Sequence, residues 1–163
     1  MKEQKARWIW VDETSIPDEY GEFSGDFHSE QDQVTLRISC DSDYAVYLNG
    51  TLVAFGQYPC YPDHPFYDEL ELPLKQKDNH LLILVYYVGV ETFSTYKLGP
   101  AGLFFSLSDS HRVLLFSTEE ILSRRSLVYE AGHQQEISHQ LGYSFFYDAR
   151  KESEKGGWRK SKG

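Results

Sequence analysis

Apolar and polar positions alternate most sharply across residues 41–84, and above all through YAVYLNGTLVAFG. Residues 44–48 and 51–55 alternate on either side of Asn49-Gly50. Asn and Gly both tolerate the positive φ of a type I′ turn, so this pattern predicts a two-residue β-hairpin. Mirror pairing about the turn sets Tyr44, Val46 and Leu48 against Phe55, Val53 and Thr51 on one face, and Ala45 and Tyr47 against Ala54 and Leu52 on the other. Apolar groups on both faces imply that both are covered, at least in part. Residues 81–89, LLILVYYVG, are apolar without alternation, which predicts a central strand buried on both sides.

The rest of the chain frames these strands. Trp8 and Trp10 alternate about Ile9, predicting an early edge strand over 7–11 that places an indole in the core. Residues 22–28 carry Phe23 and Phe27 on a strand with Gly25 between them, a place suited to a bulge or a close backbone approach. Val34, Leu36 and Ile38 alternate with Thr35, Arg37 and Ser39 as a half-buried strand. After the hairpin, Pro59, Pro62 and Pro65 mark a loop; Tyr67, Glu69 and Glu71 then alternate with Asp68, Leu70 and Leu72 up to Pro73, which ends the strand or leaves it on an edge. Residues 89–100 form a second long loop, in which Phe93 and Tyr96 either cap the core or face a ligand. Residues 102–107 and 113–116 flank Asp109-Ser110-His111 as a second hairpin, with Leu103, Phe105 and Leu107 in one row. A short helix is expected over 118–123, with Thr118 as N-cap and Glu119 and Glu120 in its first turn. Residues 127–137 read as irregular with one strand, and 142–147 as the last strand.

Roughly eight to ten short strands with almost no helix make the chain all-β, either a sandwich or a closed barrel. Two long aromatic loops between strands favour the sandwich, in its jelly-roll form. The expected organisation is a β-sandwich accessory domain over 1–150, then 151–163 as a linker or the start of a following domain, with Trp158 loosely held. At 163 residues the chain has the length of one domain with its own core.

A formal net charge of -9 argues against nucleic acid as partner; the only local basic clusters are Arg124-Arg125 and residues 159–162. Cys40 and Cys60 cannot form a disulfide scaffold, no apolar run reaches transmembrane length, and MKEQKARWIWVDE lacks a signal-peptide core. The expected location is cytoplasmic, with no membrane partner. Asn49-Gly50-Thr51 matches a glycosylation sequon but is read as turn chemistry.

Candidate chemistry is sparse. Glycosidic cleavage needs two carboxylates facing each other across a sugar ring, whereas Glu69 and Glu71 share one face of a strand as any solvated edge would. The six histidines make no ligand set; His64 beside Asp63 is the only pair worth weighing. No catalytic residue, metal site or cofactor is assigned. Binding is better supported, because sugars are recognised by flat aromatic faces together with a few convergent polar side chains. Tyr58, Tyr61, Asp63, His64 and Phe66, with Tyr67 beside them, cluster in one loop, and Phe93, Tyr96 and Lys97 in the other. The same rings equally suit packing against a neighbouring domain.

The order of features adds a resemblance. DYAVYLNGTLVAFGQ, FYDELEL, LLILVYYVG, GPAGLFFSLSD and LGYSFFYDAR followed by Gly-Trp together closely resemble the N-terminal β-sandwich region of the bacterial α-L-rhamnosidases, a family of inverting glycoside hydrolases. The resemblance covers most of the chain. It implies a galactose-binding-domain-like jelly roll, non-catalytic itself, in a parent that hydrolyses terminal α-L-rhamnosyl linkages in a separate helical barrel. The partners it implies are the catalytic and other domains of that parent, with a rhamnosyl oligosaccharide as candidate ligand. It assigns no sugar contact or metal to individual residues. The alternative is an independent carbohydrate-binding module.

Overall fold

The computed structural model describes residues 5–57, 66–93, 96–132 and 134–163. Among them the strands, in chain order, are β1 (Glu19–His28), β2 (Gln33–Asp41), β3 (Asp43–Leu48), β4 (Thr51–Gly56), β5 (Asp68–Pro73), β6 (Asp78–Tyr87), β7 (Gly102–Ser108), β8 (Val113–Phe116), β9 (Leu122–Arg125), β10 (Glu136–Ser138), β11 (Gly142–Tyr143) and β12 (Arg159–Lys160). A six-stranded sheet runs β12-β9-β1-β6-β3-β4, a four-stranded sheet runs β5-β2-β7-β8, and β10 pairs with β11. Every pairing is antiparallel. The two large sheets bury Phe23, Val46, Ile83 and Val85 of the first against Leu36, Ile38, Leu103, Phe105 and Leu107 of the second. Period-two alternation supplies one such row per strand. The chain is an all-β antiparallel sandwich of the jelly-roll kind.

Asn49 and Gly50 adopt φ of 52° and 79°, the two positive values that a type I′ turn needs. Leu48 faces Thr51 and Tyr47 faces Leu52, but a bulge then drops Val53 out of register, so that Val46 faces Ala54 and Ala45 faces Phe55. The expected mirror pairing therefore holds only beside the turn, and Phe55 lies on the outer face rather than opposite Tyr44. A Cβ on Gly50 would meet nothing within 4 Å. Gly50→Val is thus expected to cost about 1 kcal/mol through backbone strain alone; equal urea midpoints for the two proteins would show that the turn tolerates negative φ.

The central strand β6 is buried in alternation rather than on both sides. Leu81, Ile83, Val85 and Tyr87 lie in the core, while Leu82, Leu84 and Tyr86 are half-buried on the outer face. Part of that outer face is covered by rings: Tyr20 stacks on Tyr86 and on Tyr129, with centroids 4.5 Å apart in each case. Gly25 permits the expected close approach, since a Cβ there would lie 3.0 Å from a methyl of Leu115. Pairing of β1 with β6 runs through Gly25 without a bulge.

Four further expectations are corrected. Residues 7–11 form bridges instead of a strand: Ile9 pairs with Leu103 of one sheet and Trp10 with Lys162 beside the other. Trp10 is the buried indole, and its Nε1 donates to the buried Glu19 carboxylate at 3.0 Å, whereas Trp8 is exposed. The helix over 118–123 is a single turn, with Ile121 N donating to Thr118 O, that leads into β9. Long-range pairing with β1 and β12 overrides the local helical preference there. Residues 159–162 belong to the six-stranded sheet: β12 pairs with β9, Ser161 is buried, and Lys162 N donates to Trp10 O at 2.9 Å. Trp158 is half-buried under the Arg124 guanidinium, 4.5 Å from the ring centroid, and so is not loosely held. The expected last strand over 142–147 shortens to β11 and an isolated bridge between Tyr147 and Tyr129.

Candidate functional site

Both aromatic loops issue from one end of the sandwich. There β2, β4 and β6 end while β3, β5 and β7 begin, as the facing pairs Asp41 with Gly102, Tyr44 with Gly56 and Asp43 with Tyr86 establish. In the first loop, Tyr58, Tyr61, Asp63 and His64 lie outside the described residues. Phe66 presents a half-exposed ring, while its carbonyl accepts from Ser39 Oγ at 2.7 Å and from Gln57 Nε2 at 2.8 Å. Those bonds fix the backbone at the entry to β5. Tyr67 is exposed.

The second loop is pinned from below. Tyr96 is buried, 5% exposed, and its hydroxyl donates to Asp41 Oδ1 at 2.8 Å. Around it, Tyr87 Oη donates to Gly99 O at 2.9 Å and Thr92 N donates to Tyr96 O at 3.2 Å. Tyr96 is therefore a core anchor and presents no face to a ligand. What it holds in place is Phe93, whose ring is 83% exposed. Phe93 N donates to His139 O at 2.9 Å, tying this loop to the turn between β10 and β11. Glu91, Thr92, Phe93, His139 and Gln140 line an open hollow of about 610 Å³. Lys97 pairs with Glu91 at its rim, and His139 Nδ1 lies 3.0 Å from Glu136 Oε1. Phe93 thus lies beside Glu91, Thr92, His139 and Gln140, Lys97 is paired with Glu91, and Tyr96 caps the core beneath them, one of the two placements expected of it. His139 and Gln140 lie far from Phe93 in sequence, and only the docking of the β10–β11 hairpin brings them together.

This hollow has one flat apolar ring beside an acid, an imidazole, an amide and a hydroxyl, the mixture that meets the C–H and O–H groups of a sugar. Below it, burial raises the Asp41 carboxyl above its ordinary range against the lowering effect of bonds from Tyr96 and Ser42. Asp43 is pushed up to about 6, first by desolvation and then by the Asp41 charge. Its folded form holds the proton longer than the unfolded form, so it contributes stability below 3.8 that is lost as pH rises toward about 6. Because the residue as a whole is exposed, the slope should be small. We expect Asp43→Asn to flatten stability across that window and to be the more stable protein at neutral pH; parallel urea-derived curves would show that the carboxyl is fully solvated.

The carboxylates of β5 are engaged by neighbouring side chains. Glu69 pairs with Arg37 at 2.6 Å, and Glu71 accepts from Thr35 at 2.9 Å, on the solvent side of edge strand β5. Among the described residues, no group of three or more His, Cys, Asp or Glu side chains could hold a metal ion. No helix among them is long and apolar enough to cross a membrane, and the helical content among them is a single 3-10 turn, Ala149–Lys151.

Comparison with known proteins locates the fold. No protein-family profile and no curated protein matches the chain. Among solved structures, the chain is similar to the GH78 family rhamnosidase of Bacillus sp. GL1, with a TM-score of 0.80 and 26% identity over 98% of this chain and 18% of that one. It is also similar to the Streptomyces avermitilis α-L-rhamnosidase solved with L-rhamnose, with a TM-score of 0.56 and 18% identity over 96% of this chain and 14% of that one. The lectin of Pleurotus ostreatus matches with a TM-score of 0.61 and 18% identity over 96% of this chain and 40% of the lectin. The chain is a β-sandwich domain related in fold to parts of rhamnosidases and lectins, and it spans less than a fifth of the two rhamnosidases.

Proposed function

We propose that this chain is a non-catalytic, carbohydrate-binding accessory domain of an α-L-rhamnosidase, whose catalytic work lies in another domain of a longer parent. The observation that carries the reading is the likeness, over nearly the whole chain, to under a fifth of the Bacillus rhamnosidase. The carboxylates of Glu69 and Glu71, engaged by Arg37 and Thr35 on the solvent side of β5, are in keeping with this division of labour. Phe93, flanked by Glu91, Thr92, His139 and Gln140, is the proposed sugar platform, with Lys97 at the rim; Phe66, at the same end of the sandwich, extends it. An independent carbohydrate-binding module is the second reading, favoured by the 83% exposure of Phe93 beside a preformed hollow.

Titration calorimetry of the chain against L-rhamnose and rhamnosyl oligosaccharides tests the site. Binding is expected, and Phe93→Ala should weaken it about tenfold, the worth of one good ring contact. Phe93 is exposed, so the variant's melting temperature should not move. Heat that persists unchanged in Phe93→Ala would place the sugar elsewhere, and no heat with any rhamnosyl ligand would leave the domain a purely structural role.

A further inference from the structure

The chain has two asparagines, Asn49 and Asn79, and they are bonded to each other. Asn49 opens the turn between β3 and β4 and is followed by Gly50. Asparagine is one of the chemically labile residues, and it is most open to attack by its own main chain when the next residue is glycine, which has no Cβ to shield its N. Around Gly50 the space is free, since a Cβ there would meet nothing within 4 Å. Composition alone therefore marks Asn49 as the weak point of the hairpin.

In the fold the Asn49 side chain is committed to β6. Its Oδ1 accepts from His80 N at 2.9 Å, its Nδ2 donates to Asn79 Oδ1 at 2.9 Å, and its main-chain N donates to His80 O at 2.9 Å. Asn79 is buried, and its own Nδ2 is held by the carbonyls of Gln76 and Lys77 at 2.9 and 3.0 Å, so its Oδ1 stays aimed at Asn49. The two asparagines thus clasp the turn to the start of β6. For the Asn49 carboxamide to face Gly50 N, both of its side-chain bonds must break.

We infer that Asn49 is a site of spontaneous deamidation that this clasp holds shut, and that it reacts only when the turn parts from β6. In the reaction Gly50 N bonds to Asn49 Cγ, and Nδ2 leaves with the displaced proton as ammonia. Water then opens the succinimide ring to aspartate or, at the other carbonyl, to isoaspartate, whose main chain is longer by a methylene. The change is one-way. Aspartate sets an oxygen against the fixed Asn79 Oδ1, acceptor to acceptor. It also adds a carboxylate to an open hollow of about 460 Å³ that already holds Asp26 and Asp78, each paired with a histidine at 2.7 Å. Isoaspartate lengthens a turn whose two positive φ values fix the register beside it. The inference does not depend on sugar binding or on a rhamnosidase parent.

Ageing the full chain in warm, mildly alkaline buffer, with residues 44–56 read by peptide mass spectrometry, tests it. Conversion at Asn49 should run at least about tenfold slower in the folded chain than in the urea-unfolded chain. Asn79→Ala, held at a temperature where circular dichroism shows it folded, should speed conversion about fivefold, the worth of one hydrogen bond. Gly89→Val, which strains the end of the sandwich where β6 finishes, should convert as wild type does. Hydrogen exchange supplies a readout that needs no variant: the His80 amide, whose acceptor is Asn49 Oδ1, should be protected in the wild type. Asn49→Asp, the product made directly, should have a lower urea midpoint than wild type. Equal conversion in the folded and unfolded chains, or an Asn79→Ala rate no faster than wild type, overturns the inference. So does a Gly89→Val rate as fast as that of Asn79→Ala, an unprotected His80 amide, or an Asn49→Asp protein as stable as wild type.

Discussion

Arg124→Met is expected to cost the fold about 3 kcal/mol, because it strands a buried carboxylate. Arg124 Nε donates to Glu22 Oε2 at 2.7 Å, and the two side chains are nearly buried. Ser126 Oγ donates to the other oxygen of Glu22, so the carboxylate is bonded from two sides. The same guanidinium donates through Nη1 to the carbonyls of Glu154 and Gly156 and lies over the Trp158 ring. One side chain therefore couples β1, β9 and the segment that returns as β12. Methionine matches much of the volume but none of these donors, leaving Glu22 unpaired in a poorly solvated place. The urea midpoint should fall sharply, and Trp158 fluorescence should shift to the red even before unfolding as the segment loosens. A midpoint within error of wild type would show that the pair is solvated and that the C-terminal segment is held by β-pairing alone.

The second large effect is expected at Gly89, where Gly89→Val should destabilise by more than about 2 kcal/mol. Gly89 has φ of +70°, a region that β-branched residues avoid. A Cβ there would fall 2.7 Å from Pro17 Cα and 2.8 Å from a ring carbon of Tyr87. The contact with Pro17 is to backbone, which cannot rotate aside. This separates the position from Gly50, where only φ is unfavourable and the space is open. Relief requires the 17–18 and 88–92 segments to part, breaking the bond from Asp18 N to Val88 O at 3.0 Å and shifting the loop that carries Phe93. Thermal melts should show the loss of stability, and rhamnoside titrations at a temperature where the variant is still folded should show weakened binding. A Gly89→Val protein no less stable than Gly50→Val would mean that the two segments move apart freely.

Much of the sandwich was legible because alternation is a local signal. The rows Val34, Leu36, Ile38 and Leu103, Phe105, Leu107 read directly as core strands, and both are buried. The Asn49-Gly50 turn was equally plain, since it depends on two residues whose backbone freedom is intrinsic. The register beyond that turn was not, because a bulge at Val53 is settled by how β3 and β4 pack, not by the turn. The site was legible only in part. Phe93 reads in the sequence as a loop ring that either caps the core or faces outward, and it is exposed. Tyr96, singled out on the same grounds, is buried because its hydroxyl finds Asp41 at the end of β2, a partner that no spacing in the loop announces.

By itself the sequence determined the all-β class, the tight hairpin, the paired β7 and β8 and the aromatic character of the loops, because each follows from period and turn chemistry within a few residues. Only the tertiary structure decided that the stretch after Lys151 returns to the six-stranded sheet, that residues 118–125 turn and extend rather than coil, and that His139 and Gln140 stand beside Phe93. In each case the deciding partner lies far along the chain: Glu22 for Arg124, β9 for β12, the β10–β11 turn for Phe93. Such contacts form only when the whole core closes, and their free energy then outweighs the local preferences that a reading of neighbouring residues can detect.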